Sequence, residues 1–90
     1  MSDNTAIVER IQIRLQEGCR VADVLRYLAV ECVIEDQVEL MTLMSEALGV
    51  GLGAVTAIGG WWYEGTKELN DDDVNAYITP LVDEWLKGLK

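Results

Sequence analysis

The sequence contains no histidine and few basic residues. Seven lysines and arginines face sixteen acidic residues, which gives a net charge of -9. Without histidine the commonest general base is absent, and Ser2 and Ser45 have no imidazole partner for a catalytic triad. The glycines do not match a phosphate-binding loop, which would need a following Gly-Lys-Ser or Gly-Lys-Thr. We therefore expect a protein that is not an enzyme and that binds no cofactor.

The few basic side chains are unevenly distributed. Residues 1–34 carry four arginines and five acids, whereas residues 35–90 carry three lysines and eleven acids. Direct binding of nucleic acid needs cationic side chains that displace counterions, so we do not expect it here. An acidic surface favours solubility, or a partner protein with a basic surface.

Cysteine and proline are also scarce: the sequence has two cysteines and one proline, Pro80. Cys19 and Cys32 lack the CxxC spacing and the activating histidine of a redox site. Charged residues within the first ten positions interrupt any early apolar run, so we expect no signal peptide. Free thiols in a cytoplasmic protein are the resulting expectation.

The length and apolar content indicate one small domain over residues 1–90, since half of the 90 residues are hydrophobic. In four segments the apolar residues recur at spacings of three and four, which predicts helices. Residues 11–15 also alternate like a strand, but no later segment offers a convincing strand partner. The predicted core faces are Ile7, Val8, Ile11 and Leu15; Val21, Val24, Leu25, Leu28 and Cys32; Val38, Met41, Met44, Ala47 and Leu48; and Val74, Tyr77, Ile78, Leu81, Trp85, Leu86 and Leu89.

Capping signals set the expected ends of these helices. Residues 2–5 offer N-caps for the first helix, and Gly18 ends that helix. The second predicted helix runs from about residue 20 to residue 33. Asp36 and Glu39 have the form of a capping box, and Gly49 stops that third helix. Residues 70–73 cap the last helix, in which Pro80 predicts a kink or a split near Thr79. The predicted fold is an all-α, compact bundle of four to six short helices, the last kinked or split near Pro80.

The longest uncharged stretch spans residues 47–63 and holds five of the eight glycines and two of the three tryptophans. Such a run lies in a core, in a membrane or against a partner. Acids flank both of its ends and basic anchors are missing, so we do not expect a membrane span. Each glycine opposes a helix by about 1 kcal/mol relative to alanine, so a helix here requires close packing against its neighbours.

Part of this stretch resembles a DNA-binding motif. Residues 44–50 (MSEALGV), followed by residues 54–58 (AVTAI), resemble the helix-turn-helix of small bacterial repressors. The resemblance implies a recognition helix from Leu52 to Trp62. That segment has no Arg, Lys, Asn or Gln to contact a base edge, and Thr56 is its only polar side chain. A degenerate helix-turn-helix regulator is therefore only an alternative function.

Three residues near the last helix match the start of a calcium-binding loop. Asp71, Asp73 and Asn75 occupy its first three ligand positions. The sixth position, however, is Ala76 where glycine is needed, and the twelfth is Val82 where a bidentate glutamate is needed. We expect these acids to cap the helix, and we expect no metal site.

The sharpest signal for binding is the aromatic sequence at residues 61–63. Three consecutive side chains on a helix fan across about 200°, so a helical segment would expose at least one of them. Exposed tryptophan and tyrosine are favoured at interface hot spots, and acids follow directly. The predicted partner-binding residues are Trp61, Trp62, Tyr63, Glu64, Glu68, Asp71, Asp72 and Asp73.

These features are similar in general character to bacterial immunity proteins and phage-encoded inhibitors. The similarity implies an acidic, non-enzymatic protein-interaction module that occludes a basic, nucleic-acid-binding face of a partner protein. The alternative is a homo-oligomeric structural or assembly protein in which the glycine- and tryptophan-rich stretch is the subunit seam.

Overall fold

The computed structural model describes residues 5–89, which form four α-helices and one 3₁₀ segment. Helix α1 spans Thr5–Gln16, α2 spans Val21–Val30, α3 spans Gln37–Leu48 and α4 spans Asp71–Gly88. The 3₁₀ segment, Leu52–Gly60, lies between α3 and α4. Over the described range the only extended pairing is one isolated bridge between Trp61 and Leu69. The predicted all-α bundle of short helices is confirmed.

Short-range signals set several helix ends as the sequence predicts. The Asp36 side chain caps α3 by accepting a hydrogen bond from the Val38 N–H, whereas the predicted capping box would use the Glu39 N–H. Gly49 ends that helix with a left-handed φ of 67°. Asn70 and Asp73 exchange side-chain and backbone hydrogen bonds in a complete capping box at the start of α4. The caps predicted at residues 2–4 lie outside the described residues.

One continuous core joins all five elements. Most residues of the stripes predicted for the first two helices are buried, and Ile13, on the far side of α1, is exposed. Ile7, Val8 and Cys32 are only partly buried, and Cys32 lies beyond the end of α2 at Val30. Trp61 is the largest of the fully buried side chains. The other core residues that are at most 2% exposed are Ile11, Leu15, Val21, Ala22, Val24, Leu25, Leu28, Leu40, Leu43, Met44, Ala47, Val55, Ile58, Val74 and Ile78.

The predicted core face of α3 is wrong at its first turn. Val38 is exposed, whereas Leu40 and Leu43 are fully buried. This helix carries apolar residues on two overlapping stripes that share Met44 and Ala47, so periodicity alone does not choose between them. The choice is made by packing, because α3 lies against both α1 and the 3₁₀ segment.

Helix α4 also buries a narrower face than its apolar residues suggest. Val74, Ile78 and Val82 are buried, while the predicted core residues Tyr77 and Leu89 are exposed. The helix continues through Pro80 as one element, and Pro80 is itself exposed. Because Pro80 has no N–H, the backbone carbonyl four residues earlier loses its helical hydrogen bond and can bond to water instead. A kink in the helix axis at this residue stays a prediction.

The glycine-rich stretch forms a turn followed by the 3₁₀ segment, which is broken at Val55 (φ -116°, ψ 21°). Val55 and Ile58 are fully buried. A Cβ added to Gly60 would lie 3.2 Å from Leu69 Cγ, so here the absence of a side chain permits close packing. Among residues 5–89 no helix combines the length and the apolar character needed to cross a membrane.

The loop after α2 holds a strained residue. Val33 has a left-handed φ of 53°, and its side chain is 69% exposed. A hydrogen bond of 3.2 Å from the Ile34 N–H to the Leu28 carbonyl closes the turn around it. β-Branched residues rarely adopt this conformation, and its cost is about 1–2 kcal/mol. Little apolar burial at Val33 offsets that cost.

We expect the substitution Val33→Gly to raise the free energy of unfolding by roughly 0.5–1 kcal/mol. Relief of the left-handed strain, about 1–2 kcal/mol, exceeds the entropy lost by a glycine, about 0.5–1 kcal/mol. Urea denaturation followed by circular dichroism measures the change.

Val38→Gly is the matched control for this prediction, since Val38 is also an exposed valine but lies within a helix. It should lower the free energy of unfolding by roughly 0.3–0.5 kcal/mol, the difference between the helix propensities of valine and glycine. Destabilisation by both substitutions would show that Val33 is not strained.

Candidate functional site

The three aromatic residues at 61–63 do not lie on a helix. Trp61 follows the 3₁₀ segment with extended backbone angles (φ -120°, ψ 145°). The chain then turns at Gly65, whose φ is 75° and whose N–H donates to the Trp62 carbonyl at 3.0 Å. Successive side chains in extended backbone point to opposite sides. Trp61 is fully buried and Trp62, the next residue, is partly buried, while Tyr63 lies in the turn that follows and is 36% exposed.

A single carboxylate holds Trp61 in place. The Trp61 indole N–H donates to Asp71 Oδ1 at 2.8 Å, and Arg26 Nη2 donates to Asp71 Oδ2, also at 2.8 Å. The Arg26 guanidinium carbon lies 5.9 Å from the centroid of the Trp61 ring. We call these three residues the Asp71 bridge. It connects α2, the aromatic segment and the first turn of α4.

The Asp71 bridge favours the ionised carboxylate. The hydrogen bond from Arg26, followed by that from the Trp61 indole, holds the pKa of Asp71 below its ordinary value of 3.8. Asp71 also lies in the first turn of α4, where the helix dipole favours a negative charge. The folded state therefore favours the charged form of Asp71.

Beside this bridge, two aromatic rings reach the surface. The rings of Trp62 and Tyr63 lie 5.0 Å apart with a tilt of 53°, and the Trp62 indole N–H donates to Glu64 Oε1 at 3.1 Å. We call Trp62, Tyr63 and Glu64 the aromatic turn. It borders a shallow, open pocket of about 510 Å³ whose lining also includes Arg20, Arg26, Trp61, Gly65, Asn70, Asp71 and Asp72.

Six of the eight residues predicted to bind a partner line this pocket: Trp61, Trp62, Tyr63, Glu64, Asp71 and Asp72. Glu68 lies instead in a separate shallow groove that includes Leu69 and Tyr77. Asp73 is engaged in the capping box of α4. Trp61 is 0% exposed, so its side chain supports the pocket from within and offers no surface to a partner.

Sequence reasoning did not assign a role to Arg20 or Arg26, which both line the pocket. Arg26 Nη1 lies 3.8 Å from Asp23 Oδ1, one helical turn away. The sequence shows this pairing, because the two residues are three positions apart. The shorter contact of Arg26 is to Asp71, 45 positions along the chain. No local pattern gives such a pairing.

The calcium-loop match does not correspond to a cluster of free oxygens. Asn75 Oδ1 accepts the Ala22 N–H at 2.8 Å, while Asp71 and Asp73 are held by the bridge and by the capping box. Within residues 5–89, no three His, Cys, Asp or Glu side chains are grouped so that they could hold a metal ion.

The helix-turn-helix resemblance holds for the turn and fails for the second helix. Gly49 makes a left-handed turn after α3, but the segment that follows is a broken 3₁₀ segment. Its exposed side chains include Leu52, Ala54 and Thr56, and none of these carries the paired hydrogen-bonding groups used to read bases.

No protein-family model, no curated protein and no solved structure matches this chain. The function of the pocket must therefore be argued from its own geometry and charge.

We expect Asp71→Ala to lower the free energy of unfolding by about 2 kcal/mol. The substitution leaves the buried Trp61 N–H without an acceptor, at a cost of about 1–3 kcal/mol, and removes a favourable charge from the α4 N-terminus. Asp72→Ala removes the neighbouring, exposed carboxylate, and should cost only about 0.5 kcal/mol. Equal losses in urea denaturation would contradict the role of the bridge.

The lowered pKa of Asp71 predicts a pH dependence. A depressed pKa in the folded state stabilises the fold above the ordinary value of 3.8, and this contribution is lost as the pH falls through the folded-state value. The difference in unfolding free energy between wild type and Asp71→Asn should be constant at pH 5–7 and should shrink below about pH 4. A difference that grows on acidification would contradict the prediction.

Proposed function

We propose that this protein is a non-enzymatic interaction module that binds a basic surface of a partner protein through the aromatic turn. The observation that carries the proposal is the contact at the surface between the partly buried ring of Trp62 and the exposed ring of Tyr63, next to the fully buried Trp61. Exposed tryptophan and tyrosine bury large areas at low entropic cost, and they are enriched among the residues that dominate binding energy.

The fold supports this role by fixing the aromatic turn at both ends. On one side the backbone is held by Trp61, which is buried and hydrogen-bonded to Asp71. On the other side, the Leu69 N–H donates to the Gly60 carbonyl at 2.8 Å and closes the loop at its neck. A preorganised loop loses less entropy on binding than a mobile one.

Charge supports a basic partner. Among the described residues, the ion pairs are Arg26 with Asp23, Arg26 with Asp71, and Lys87 with Glu84, so Glu64 and Asp72 at the pocket keep unpaired charges. Arg20 adds one positive charge to the same pocket. Steering of a partner therefore comes mainly from the net charge of -9 over the whole chain. Occlusion of a nucleic-acid-binding face, as by an inhibitor or an immunity protein, is the mechanism we propose.

We expect Trp62→Ala together with Tyr63→Ala to abolish capture of the partner in a tagged pull-down from the native host. Loss of a hot-spot pair of this kind weakens binding by more than about 2 kcal/mol, or roughly thirtyfold. Mass spectrometry identifies the proteins that are lost, and a basic nucleic-acid-binding protein should be among them.

Tyr77→Ala is the control, because Tyr77 is a 64% exposed aromatic outside the pocket; this variant should retain the partner. With the purified partner, the association rate should fall as salt is added, since steering between opposite charges is screened. Equal loss with Tyr77→Ala, or an association rate that ignores ionic strength, would count against the proposal.

One observation favours the second function, self-assembly through the glycine-rich stretch. Leu52 is 45% exposed and lies between Gly51 and Gly53, which are exposed and have no neighbour where a Cβ would project. A flat, uncharged patch on a highly charged protein is suited to contact with a second copy. The proposed seam is centred on Leu52.

Light scattering after gel filtration tests the seam. If the seam is used, wild type elutes as an oligomer and Leu52→Glu shifts it to monomer, because the new charges face one another across the contact. Val38→Glu adds the same charge at another exposed apolar position and should leave the mass unchanged. A monomeric wild type at millimolar concentration would remove this alternative.

A further inference from the structure

Two arginines and a tyrosine form a second surface cluster, away from the aromatic turn in sequence. Arg10 and Arg14 lie one turn apart on α1, and both contact Tyr27 of α2. The Arg14 guanidinium carbon is 3.8 Å from the centroid of the Tyr27 ring, and Arg10 Nη1 donates to the Tyr27 hydroxyl at 3.3 Å. We call Arg10, Arg14 and Tyr27 the Arg–Tyr patch.

The Arg–Tyr patch keeps its positive charge in a chain rich in acids. The sequence has sixteen acidic residues, yet within residues 5–89 the ion pairs involve Arg26 and Lys87, and neither Arg10 nor Arg14. Glu17 borders the patch beyond ion-pair distance. An arginine stacked on an aromatic face keeps the N–H groups at its edge free for a carboxylate.

Exposed apolar side chains flank these charges. Ile13 is 55% exposed and Val30 is 50% exposed. Ile13 shares a shallow pocket with Arg10, Arg14 and Tyr27. Val30 shares a neighbouring pocket with Arg14 and Tyr27, which Asp23, Arg26 and Glu31 also line. The two arginines and the two apolar side chains are therefore neighbours on a surface that acids border.

We propose that the Arg–Tyr patch is a docking site for an acidic segment of a partner protein. Carboxylates of that segment pair with Arg10 and Arg14, and an apolar side chain between them packs on Ile13 and Val30. The charge complementarity is local: two unpaired arginines select a short run of acids. This site is distinct from the aromatic turn and takes a ligand of the opposite charge.

The net charge of the chain separates this occupant from two others. A nucleic acid carries a charge on every phosphate and is repelled by a protein of net charge -9, as is a second copy of the same chain. A short acidic segment is repelled by the same net charge, but it carries few charges, and its carboxylates can pair with the two arginines. Its apolar residue adds an attraction that does not depend on charge.

The test is a titration of the full chain, labelled with nitrogen-15, by a short peptide in which glutamate alternates with leucine. The side-chain Nε signals of Arg10 and Arg14 should shift saturably. The same peptide with glutamine in place of glutamate should bind at least about fivefold more weakly. Arg10→Gln and Arg14→Gln should each weaken binding of the glutamate peptide about threefold, which is the effect of one exposed ion pair.

Arg20→Gln is the matched control, because Arg20 is an exposed arginine that lines neither pocket of the patch; its binding should equal that of wild type. Trp62→Ala should also bind the glutamate peptide as wild type does. This result would show that the peptide site is independent of the aromatic turn. Spectra of the free variants confirm that each one folds.

Five outcomes would overturn the proposal, four of them in the titration. These four are the absence of saturable shifts at millimolar peptide, equal binding of the glutamine peptide, an equal loss with Arg20→Gln, and tighter binding of an oligothymidine at the same signals. Sedimentation that shows a dimer dissolved by Arg14→Gln would assign the patch to a second copy and would also overturn it.

Discussion

The indole N–H of Trp61 is a polar group inside the core, and the rest of the structure is arranged so that it has an acceptor. A buried donor without a partner costs about 1–3 kcal/mol, a large share of the stability of a small domain. Asp71 supplies the acceptor from the first turn of α4, and Arg26 on α2 neutralises the carboxylate. These two hydrogen bonds tie the end of the glycine-rich segment to the first turn of α4 and to α2, while the capping box of Asn70 and Asp73 sets where α4 begins.

The same constraint places the candidate binding residues at the surface. Once Trp61 points into the core from extended backbone, the residues that follow must leave it, and the turn at Gly65 carries the chain back to α4. Trp62 is therefore only partly buried and Tyr63 is exposed, as a consequence of how their neighbour is buried. At this point the core encloses one large ring fully, and parts of the other two rings reach the surface.

Some of this organisation could be predicted from the sequence, because it depends on short-range chemistry. Asn70, Asp36 and Gly49 act within one helical turn, so local patterns identify them. The face of α3 could not be chosen, since two apolar stripes overlap there and packing selects one. The pairing of Arg26 with Asp71 joins residues 45 positions apart, and no periodicity encodes it. The sequence also does not separate Trp61 from Trp62 and Tyr63, because its burial depends on extended backbone at the end of the 3₁₀ segment and on Asp71, ten positions along the chain.

The distribution of paired and unpaired arginines decides the character of each surface. Arg26 lines both the pocket at the aromatic turn and the pocket beside Tyr27, so the two proposed surfaces meet at its side chain. Its charge is taken up by Asp71 and Asp23, which leaves the excess of acids to determine the field around the aromatic turn. Arg10 donates a hydrogen bond to the Tyr27 hydroxyl and Arg14 stacks on the Tyr27 ring, and neither contact neutralises a charge. Among the described residues of this acidic chain, two arginines without an ion pair therefore lie together at that surface. The internal pairing of Arg26 separates that surface from its acidic neighbour.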